Sequence, residues 1–398
     1  MERTIYREIK ATQSLWTLGI ILAALIAAAG LSVLYVEHNG HAVTGMNNQI
    51  VWGLPHVFAI FLIVAASGAL NVASIASVFN NKAYKPLSRL SGVLAISLLV
   101  GGLLVLVLDL GRPDRLLVAM TTFNFTSIFT WNILLYTGFM AIVAVYLWVQ
   151  MDRSVHPKYT KPAGLVAFVW RLILTTGTGS IFGWLVARPG YDAAIMAPLF
   201  ISMSFALGLS VFILVLMTLF RMDGRNISDA LLKRLGNLLA LFVAAVLYFT
   251  AVQHFTNLYA TEHSGIETFI LSEGGVYTTL FWGVQIVIGS LLPMALIYGG
   301  TPAAASTRAA LASVLVIIGG LAQLYVIIVG GQAYPLEIFP GYEVSSSFFD
   351  GEIANYSPSV YELALGVGGV AIALIATGVA AKVLRILPTN LEDKNLEG

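Results

Sequence analysis

Ten times along this chain an apolar run reaches the length needed to cross the hydrocarbon core of a bilayer. The runs stand at roughly 15–36, 52–79, 90–109, 126–150, 163–187, 194–220, 234–259, 277–299, 307–330 and 360–386. A core about 30 Å thick takes roughly twenty helical residues to span. Backbone in lipid must satisfy its own hydrogen bonds, which leaves helices or a closed barrel, and the runs lack the apolar/polar alternation of barrel strands. The expectation is an all-α polytopic integral membrane protein of about ten transmembrane helices, one transmembrane domain over 1–398. With 58% hydrophobic and only 10% charged residues, the apolar surface exceeds what a soluble core hides.

Basic residues predict the orientation. Arg3, Arg7, Lys10, Lys82, Lys85, Arg89, Arg153, Lys158, Lys161, Arg221, Arg225, Lys233, Arg234, Arg308, Lys382, Arg385 and Lys394 fall on the side of the N-terminus, against Arg112, Arg115 and Arg188 opposite. By the positive-inside rule both termini are expected in the cytoplasm, with 1–14 and 387–398 as cytoplasmic tails and the cytoplasmic (inner) membrane as the location. The first apolar run outlasts a signal-peptide core and is read as a retained helix. A net charge of +1, spread over loops, offers nucleic acid no basic patch. Zero cysteines exclude thiolate metal sites and iron–sulfur clusters held by this chain. Electrons that reach it come from a partner or a diffusible carrier.

The connections expected outside, at roughly 37–51, 260–276 and 331–359, are long and hold Glu37, Glu262, Glu267, Glu273, Glu337, Glu343, Asp350 and Glu352 without Lys or Arg. The last also carries Tyr334, Phe339, Tyr342, Phe348, Phe349 and Tyr356. Long aromatic-rich loops suit a docking partner, and they equally suit folding back over helix ends.

Polar groups gather at the same depth. Trp52-Gly53-Leu54-Pro55-His56 opens the second run, Asp109-Leu110-Gly111-Arg112-Pro113 closes the third, and Trp131, Asn132 and Tyr136 enter the fourth. Trp184 and Arg188 leave the fifth, and Gln253, His254 and Asn257 leave the seventh. Ionisable groups at a membrane edge are costly unless paired or used. A quinone head group needs donors at its oxygens, a flat apolar slot, an opening to lipid and a route for protons. His56, Asp109 and His254 suit the proton work, because burial and neighbours tune such groups. Trp52, Trp131, Trp184 and Tyr136 could line the slot, with Arg112 and Arg188 beside it.

Plainer readings stand next to each. Trp and Tyr at helix ends are common interfacial anchors, Arg112 and Arg188 can snorkel, and Asp109 with Arg112 can be a structural pair. Arg171, with Thr175, Thr176, Thr178 and Ser180 leading outward, forms a polar trail, although hydroxyls in membrane helices usually bond their own backbone. Haem would need two facing histidines, and only His56 and His254 have a suitable depth. A secondary transporter would concentrate its ionisable groups nearer the midplane; a passive anchor for redox subunits needs no site at all.

The run DLGRPDR followed by FNFTSIFTWN (Asp109 to Arg115, Phe123 to Asn132) resembles the NrfD / polysulfide reductase membrane-subunit family, which includes HybB-like anchors. The WGL of Trp52 to Leu54, SIFGWLVARPGY from Ser180 to Tyr191, and YSPSVYE from Tyr356 to Glu362 extend the resemblance over nearly the whole chain. WGLPHVFAIFLIVAASGALNVASIASVF is most similar to the DsrP-type members of DsrMKJOP complexes in sulfur metabolism. The resemblance implies two four-helix bundles plus flanking helices, and a quinone (menaquinone or ubiquinone) site near the outer face, without haem or iron–sulfur cluster in this chain. It implies a periplasmic DsrO-like iron–sulfur protein docked there, with a DsrJ-like cytochrome and a DsrMK-like module as further partners. Where many members read His-Ser-Val-Thr-Gly before the Arg-Pro, this chain reads Thr175-Thr176-Gly177-Thr178-Gly179, and His56 is the expected substitute for that histidine.

Overall fold

The computed structural model describes residues 4–79, 81–152, 154–299, 305–336 and 351–391. Among them are ten helices long and apolar enough to cross a membrane: α1 (Gln13–Asn39), α2 (Leu54–Ser77), α3 (Ala83–Leu108), α4 (Ile128–Met151), α5 (Pro157–Trp184), α6 (Met196–Met222), α7 (Asp229–Tyr259), α8 (Val276–Tyr298), α9 (Ala305–Ala333) and α10 (Val360–Val383). The protein is thus a multi-pass, all-α integral membrane protein. Ten crossings return the polypeptide to the side on which it started, so both termini share one face, the terminal side; the other is the far side.

Helices α2 to α5 pack as one four-helix bundle and α6 to α9 as a second, joined where α2 and α5 lie on α6. α10 lies on α2 and α3, and α1 lies on α10. The most apolar windows of α2 and α6 are 89% and 83% buried, against 11% for α1. The first two therefore form the spine, and α1 turns most of its surface to lipid. Where α2 meets α6, a Cβ on Gly68 would strike the Ser204 carbonyl, and one on Gly208 would strike the backbone of Gly68 and Ala69. Without a hydrophobic drive between helices in lipid, such glycines allow the backbone contact that holds them.

On the terminal side the strands β1 (Tyr6–Arg7) and β2 (Leu387–Pro388) pair antiparallel. Arg225 ties them to the start of the second bundle. It pairs with the Asp223 carboxylate and donates to the carbonyls of Glu8, Leu387 and Pro388, while Ile9 is fully enclosed beneath.

The far-side loops show Glu37, Glu262, Glu273 and Glu352 exposed, as expected, and turn other residues inward. Tyr334 packs against Phe269, and the half-buried Tyr356 turns its hydroxyl inward. Glu267, expected among the outer acidic residues, is 1% exposed. Glu337, Phe339, Tyr342, Glu343, Phe348, Phe349 and Asp350 lie outside the described residues.

Candidate functional site

Pro55 sits in the first turn of α2, where its missing N–H costs nothing, and so sets His56 at the far-side mouth of the helix. Asp109 caps α3, its N–H bonded to Val105 O, and the Gly-Arg-Pro that follows stops the helix. Since α2 and α3 are antiparallel neighbours, the entry of one is level with the exit of the other. His56 Nδ1 and Asp109 Oδ2 come to 2.9 Å, with side-chain exposures of 20% and 5%. The two atoms approach out of line, and neither has a well-aligned hydrogen-bond partner among the described residues. Distance alone makes this an ion pair; the angles leave both atoms with bonding capacity to spare.

Trp52 lies over the His56 ring, centroids 5.9 Å apart and planes 25° from parallel. Phe129, Phe182 and Tyr191 surround the indole at 6.0, 6.0 and 6.1 Å. Gln332, from the end of α9, holds the backbone here. Its Oε1 accepts from the N–H groups of Val51 and Trp52, and its Nε2 donates to the Trp52 and Ile328 carbonyls. The Leu54 N–H donates to the Tyr356 hydroxyl, which donates to Glu362 at 2.5 Å. The other oxygen of Glu362 takes the Gly45 N–H and closes a capping box with Ser359 at the start of α10. Burial, then the adjacent Glu362 carboxylate, push the Tyr356 phenol far above its ordinary pKa and keep it protonated. Three parts of the polypeptide distant in sequence thus hold Trp52 and His56 rigidly.

The structure brings together Trp52, His56 and Asp109 from the sequence-predicted set. Arg188 acts from behind: it donates to the carbonyls of Gln49 and Gln332, and burial draws its guanidinium below the usual value. Tyr136 is enclosed between α4 and α5, bonded to Thr178. Trp131 donates to the Phe125 carbonyl, and it and Trp184 are 46% and 63% exposed, as interfacial anchors are. The Asp109–Arg112 pair does not form. Arg112 turns away and grips Asp114 through two bonds of 2.9 and 2.8 Å, because the Pro113 turn places that carboxylate within reach of the fork.

His254 belongs to the second bundle. Its Nδ1 lies 2.6 Å from Glu267 Oε2, and Asn257 donates to Oε1 at 2.8 Å. His56 and His254 therefore each face a carboxylate, not one another. The Arg171 trail is locally tied, with Thr175 and Thr178 bonded to carbonyls of their own helix and Arg171 to Asn71 and the Ser67 carbonyl.

Sequence reasoning missed Phe129, Phe182, Tyr191, Gln332 and Glu267. For Glu267 a signal existed: Ile266, Phe269 and Ile270 around it are all buried, and that apolar spacing turns its face inward. Gln332 gave none, since its role depends on a contact 280 residues away.

These features describe a multi-pass membrane protein whose His–carboxylate pair and aromatic step stand, partly exposed, at the far-side end of one bundle. The family described as Polysulphide reductase, NrfD matches residues 42–335, and the chain belongs to that family. The match takes in both bundles and leaves out α1 and α10. An Hdr-like menaquinol oxidoreductase integral membrane subunit of Archaeoglobus fulgidus is 28% identical, covering 95% of each sequence. A putative dimethyl sulfoxide reductase membrane subunit of Halobacterium salinarum is 25% identical over 93% of this chain and 90% of its own. A polysulfide reductase chain of Wolinella succinogenes is 24% identical over 72% of this chain and 96% of its own.

Proposed function

We propose that this chain is the quinone-reactive membrane subunit of a redox complex, exchanging electrons between a membrane quinone pool and an iron–sulfur protein docked on the far side. The observation that carries this reading is the His56–Asp109 pair. Two buried polar atoms with unfilled bonding capacity stand at a mouth where His56 keeps a fifth of its side chain exposed. The fit to a quinone is chemical and geometric: a donor–acceptor pair for a carbonyl oxygen, a Trp52 face for the ring, and the open edges of Phe129 and Trp131 toward lipid. Quinone or quinol, when bound, supplies the two-electron, two-proton couple. His56 would hold the oxygen through its ring nitrogen, Asp109 would keep the imidazole oriented and accept or return its proton, and Trp52 would exclude water from the ring face.

The relatives' names, a menaquinol oxidoreductase subunit, a dimethyl sulfoxide reductase membrane subunit and a polysulfide reductase chain, support the redox setting. The finer reading is menaquinone or ubiquinone as carrier, in the cytoplasmic membrane with both termini cytoplasmic. It includes DsrO-, DsrJ- and DsrMK-like partners in sulfur metabolism. The test is quinol-linked turnover of the assembled complex with His56→Gln and Asp109→Asn. Loss of turnover, and loss of protection against heating by a quinone analogue, support the reading; wild-type behaviour of both variants refutes it and leaves a passive anchor.

A further inference from the structure

The connection between α3 and α4, residues 110–127, differs from the other far-side connections. It exceeds the roughly two to eight residues that usually join neighbouring bundle helices, and none of its residues is buried. Its charges gather at one end, where Arg112 and Asp114 hold each other and Arg115 follows. From Leu116 to Gln150 no residue is charged, whereas the exposed acids Glu37, Glu262, Glu273 and Glu352 stand on other loops.

In place of charge the connection shows apolar side chains. The short helix Leu116–Thr121 has no buried residue, and its Leu117 and Val118 are 71% and 59% exposed. Phe123 and Phe125 follow, also exposed, and both are held in place. The Asn124 side-chain oxygen accepts from the N–H and hydroxyl of Thr126. The Trp131 indole donates to the Phe125 carbonyl and lies against the Phe125 ring. Apolar groups fixed in this way, and covered by no other described residue, are costly in water.

The two ends of the connection fix where this surface lies. It leaves α3 at Asp109, which meets His56, and enters α4 just before Phe129, whose ring meets Trp52 edge-on. The connection is therefore the rim of the His56 mouth. A ring seated between His56 and Trp52 sends its substituent outward past that rim. A docked protein finds complementary charge on the acidic loops, while a neutral apolar rim continuous with the ring slot fits a hydrocarbon chain.

We infer that Leu117 to Phe125 of the α3–α4 connection bind the polyisoprenoid chain of the carrier, so that the chain as well as the head group decides which quinol is used. The inference rests on the quinone reading of the His56 mouth and adds the part of the substrate that lies outside it. No bond is made or broken at the rim. A chain laid along it orients the ring toward His56, which is how a remote part of a substrate assists the reacting part.

The test compares two quinols on the assembled complex in vesicles: menaquinol with its isoprenoid chain, and a dimethylnaphthoquinol that keeps the ring and lacks the chain. Leu117→Ser combined with Val118→Ser should lower kcat/KM for the long-chain quinol at least about fivefold, mainly through KM, and leave the chainless quinol within about twofold of wild type. Each quinol partitions alike into vesicles bearing either protein, so the ratio of variant to wild type is free of partitioning. Both positions are exposed, so the fold is not at stake. Val276→Ser, at an exposed apolar position where α8 begins on the far side, reports lipid contact alone and should change neither ratio. A second readout needs no turnover: a menaquinone analogue with a diazirine in its chain should label the peptide spanning 116–125, and excess menaquinone should abolish the label. Equal ratios for the two quinols, a like loss in Val276→Ser, or labelling that excess menaquinone leaves unchanged overturns the inference and leaves the rim as lipid-contact surface. A wild-type complex inactive with both quinols refutes the His56 reading itself, and this inference with it.

Discussion

Each bundle places a histidine against a carboxylate near its far end, and the two pairs are built differently. Glu267 is saturated: His254 meets one oxygen at 2.6 Å, Asn257 the other at 2.8 Å, and the carboxylate is 1% exposed. Asp109 meets His56 out of line at 2.9 Å, beside an imidazole that is 20% exposed. A saturated buried pair fixes structure, because removing one partner strands the other. An unsaturated pair at an opening has capacity left for a ligand. Residue type alone does not separate them; the helix ends do. α2 and α3 end level with each other and leave His56 partly exposed, whereas Glu267 folds back over the end of α7 and is enclosed there.

The largest effects should fall on activity in the first bundle. His56→Gln or Asp109→Asn is expected to lower quinol-linked turnover by about a hundredfold or more, the usual weight of a positioned acid–base group. Melting of the complex should hardly shift, because the pair makes no well-aligned bond to lose. Glu267→Ala should reverse this profile. It leaves a buried imidazole and Asn257 unpaired, a loss of roughly 3–5 kcal/mol by analogy with broken buried pairs, read as a lower melting temperature. If both substitutions moved the same quantity, the distinction between open and closed pairs would fail.

The joint between the bundles comes next. Gly208→Val drives a side chain into the α2 backbone at Gly68 and Ala69, and overpacking of this kind costs roughly 1–3 kcal/mol. Gly283, on the open face of α8, has nothing within 4 Å of where an added methyl would sit and serves as the control; Gly283→Ala should melt like wild type. Equal melting of the two variants would mean that the bundles do not depend on this contact.

The ten helices and the shared side of the termini were legible in the sequence, because hydrocarbon thickness and backbone hydrogen bonding leave few options. The starts of α3, α5 and α7 lie about five to seven residues earlier than the apolar runs, since polar first turns carry no hydropathy signal. The depth of His56 and Asp109 followed from the same count. The partner of Asp109 did not. Spacing favoured Arg112, three residues on, while the backbone turn at Pro113 hands that guanidinium to Asp114 and leaves the carboxylate to a neighbouring helix. Likewise, Glu267 looked like one more outer acid until the fold turned it inward, and Gln332 gained its role only when the end of α9 reached the start of α2. Contacts between helices distant in sequence carry no local periodicity, so residue chemistry was readable and pairing was not. For Arg112, now seen exposed and paired locally, Arg112→Ala should keep turnover within about twofold of wild type, since exposed ion pairs contribute little; a loss as large as that of His56→Gln would return it to the site.

The terminal side repeats the contrast of open and closed pairs on a smaller scale. Arg225 and Asp223 form the enclosed tie of the strand latch, with exposures of 11% and 1%, while Arg385 reaches Glu8 in the open at 3.0 Å, with exposures of 66% and 40%. A backbone hydrogen bond, then the Arg385 guanidinium, hold the Glu8 carboxyl below its ordinary value of 4.5. A depressed carboxyl pKa means that the folded latch prefers the ionised form. Its contribution is therefore complete above the unfolded value and disappears as pH falls through the folded one. A nitroxide at Thr4 should gain mobility as pH falls below 4.5 and through the lowered Glu8 value, and Glu8→Gln should show that mobility already at neutral pH. The change should be small, since water and salt screen the exposed pair and the Arg225 bonds persist. Strong release of the strands in Glu8→Gln would show that the open pair, not the enclosed one, holds the termini together.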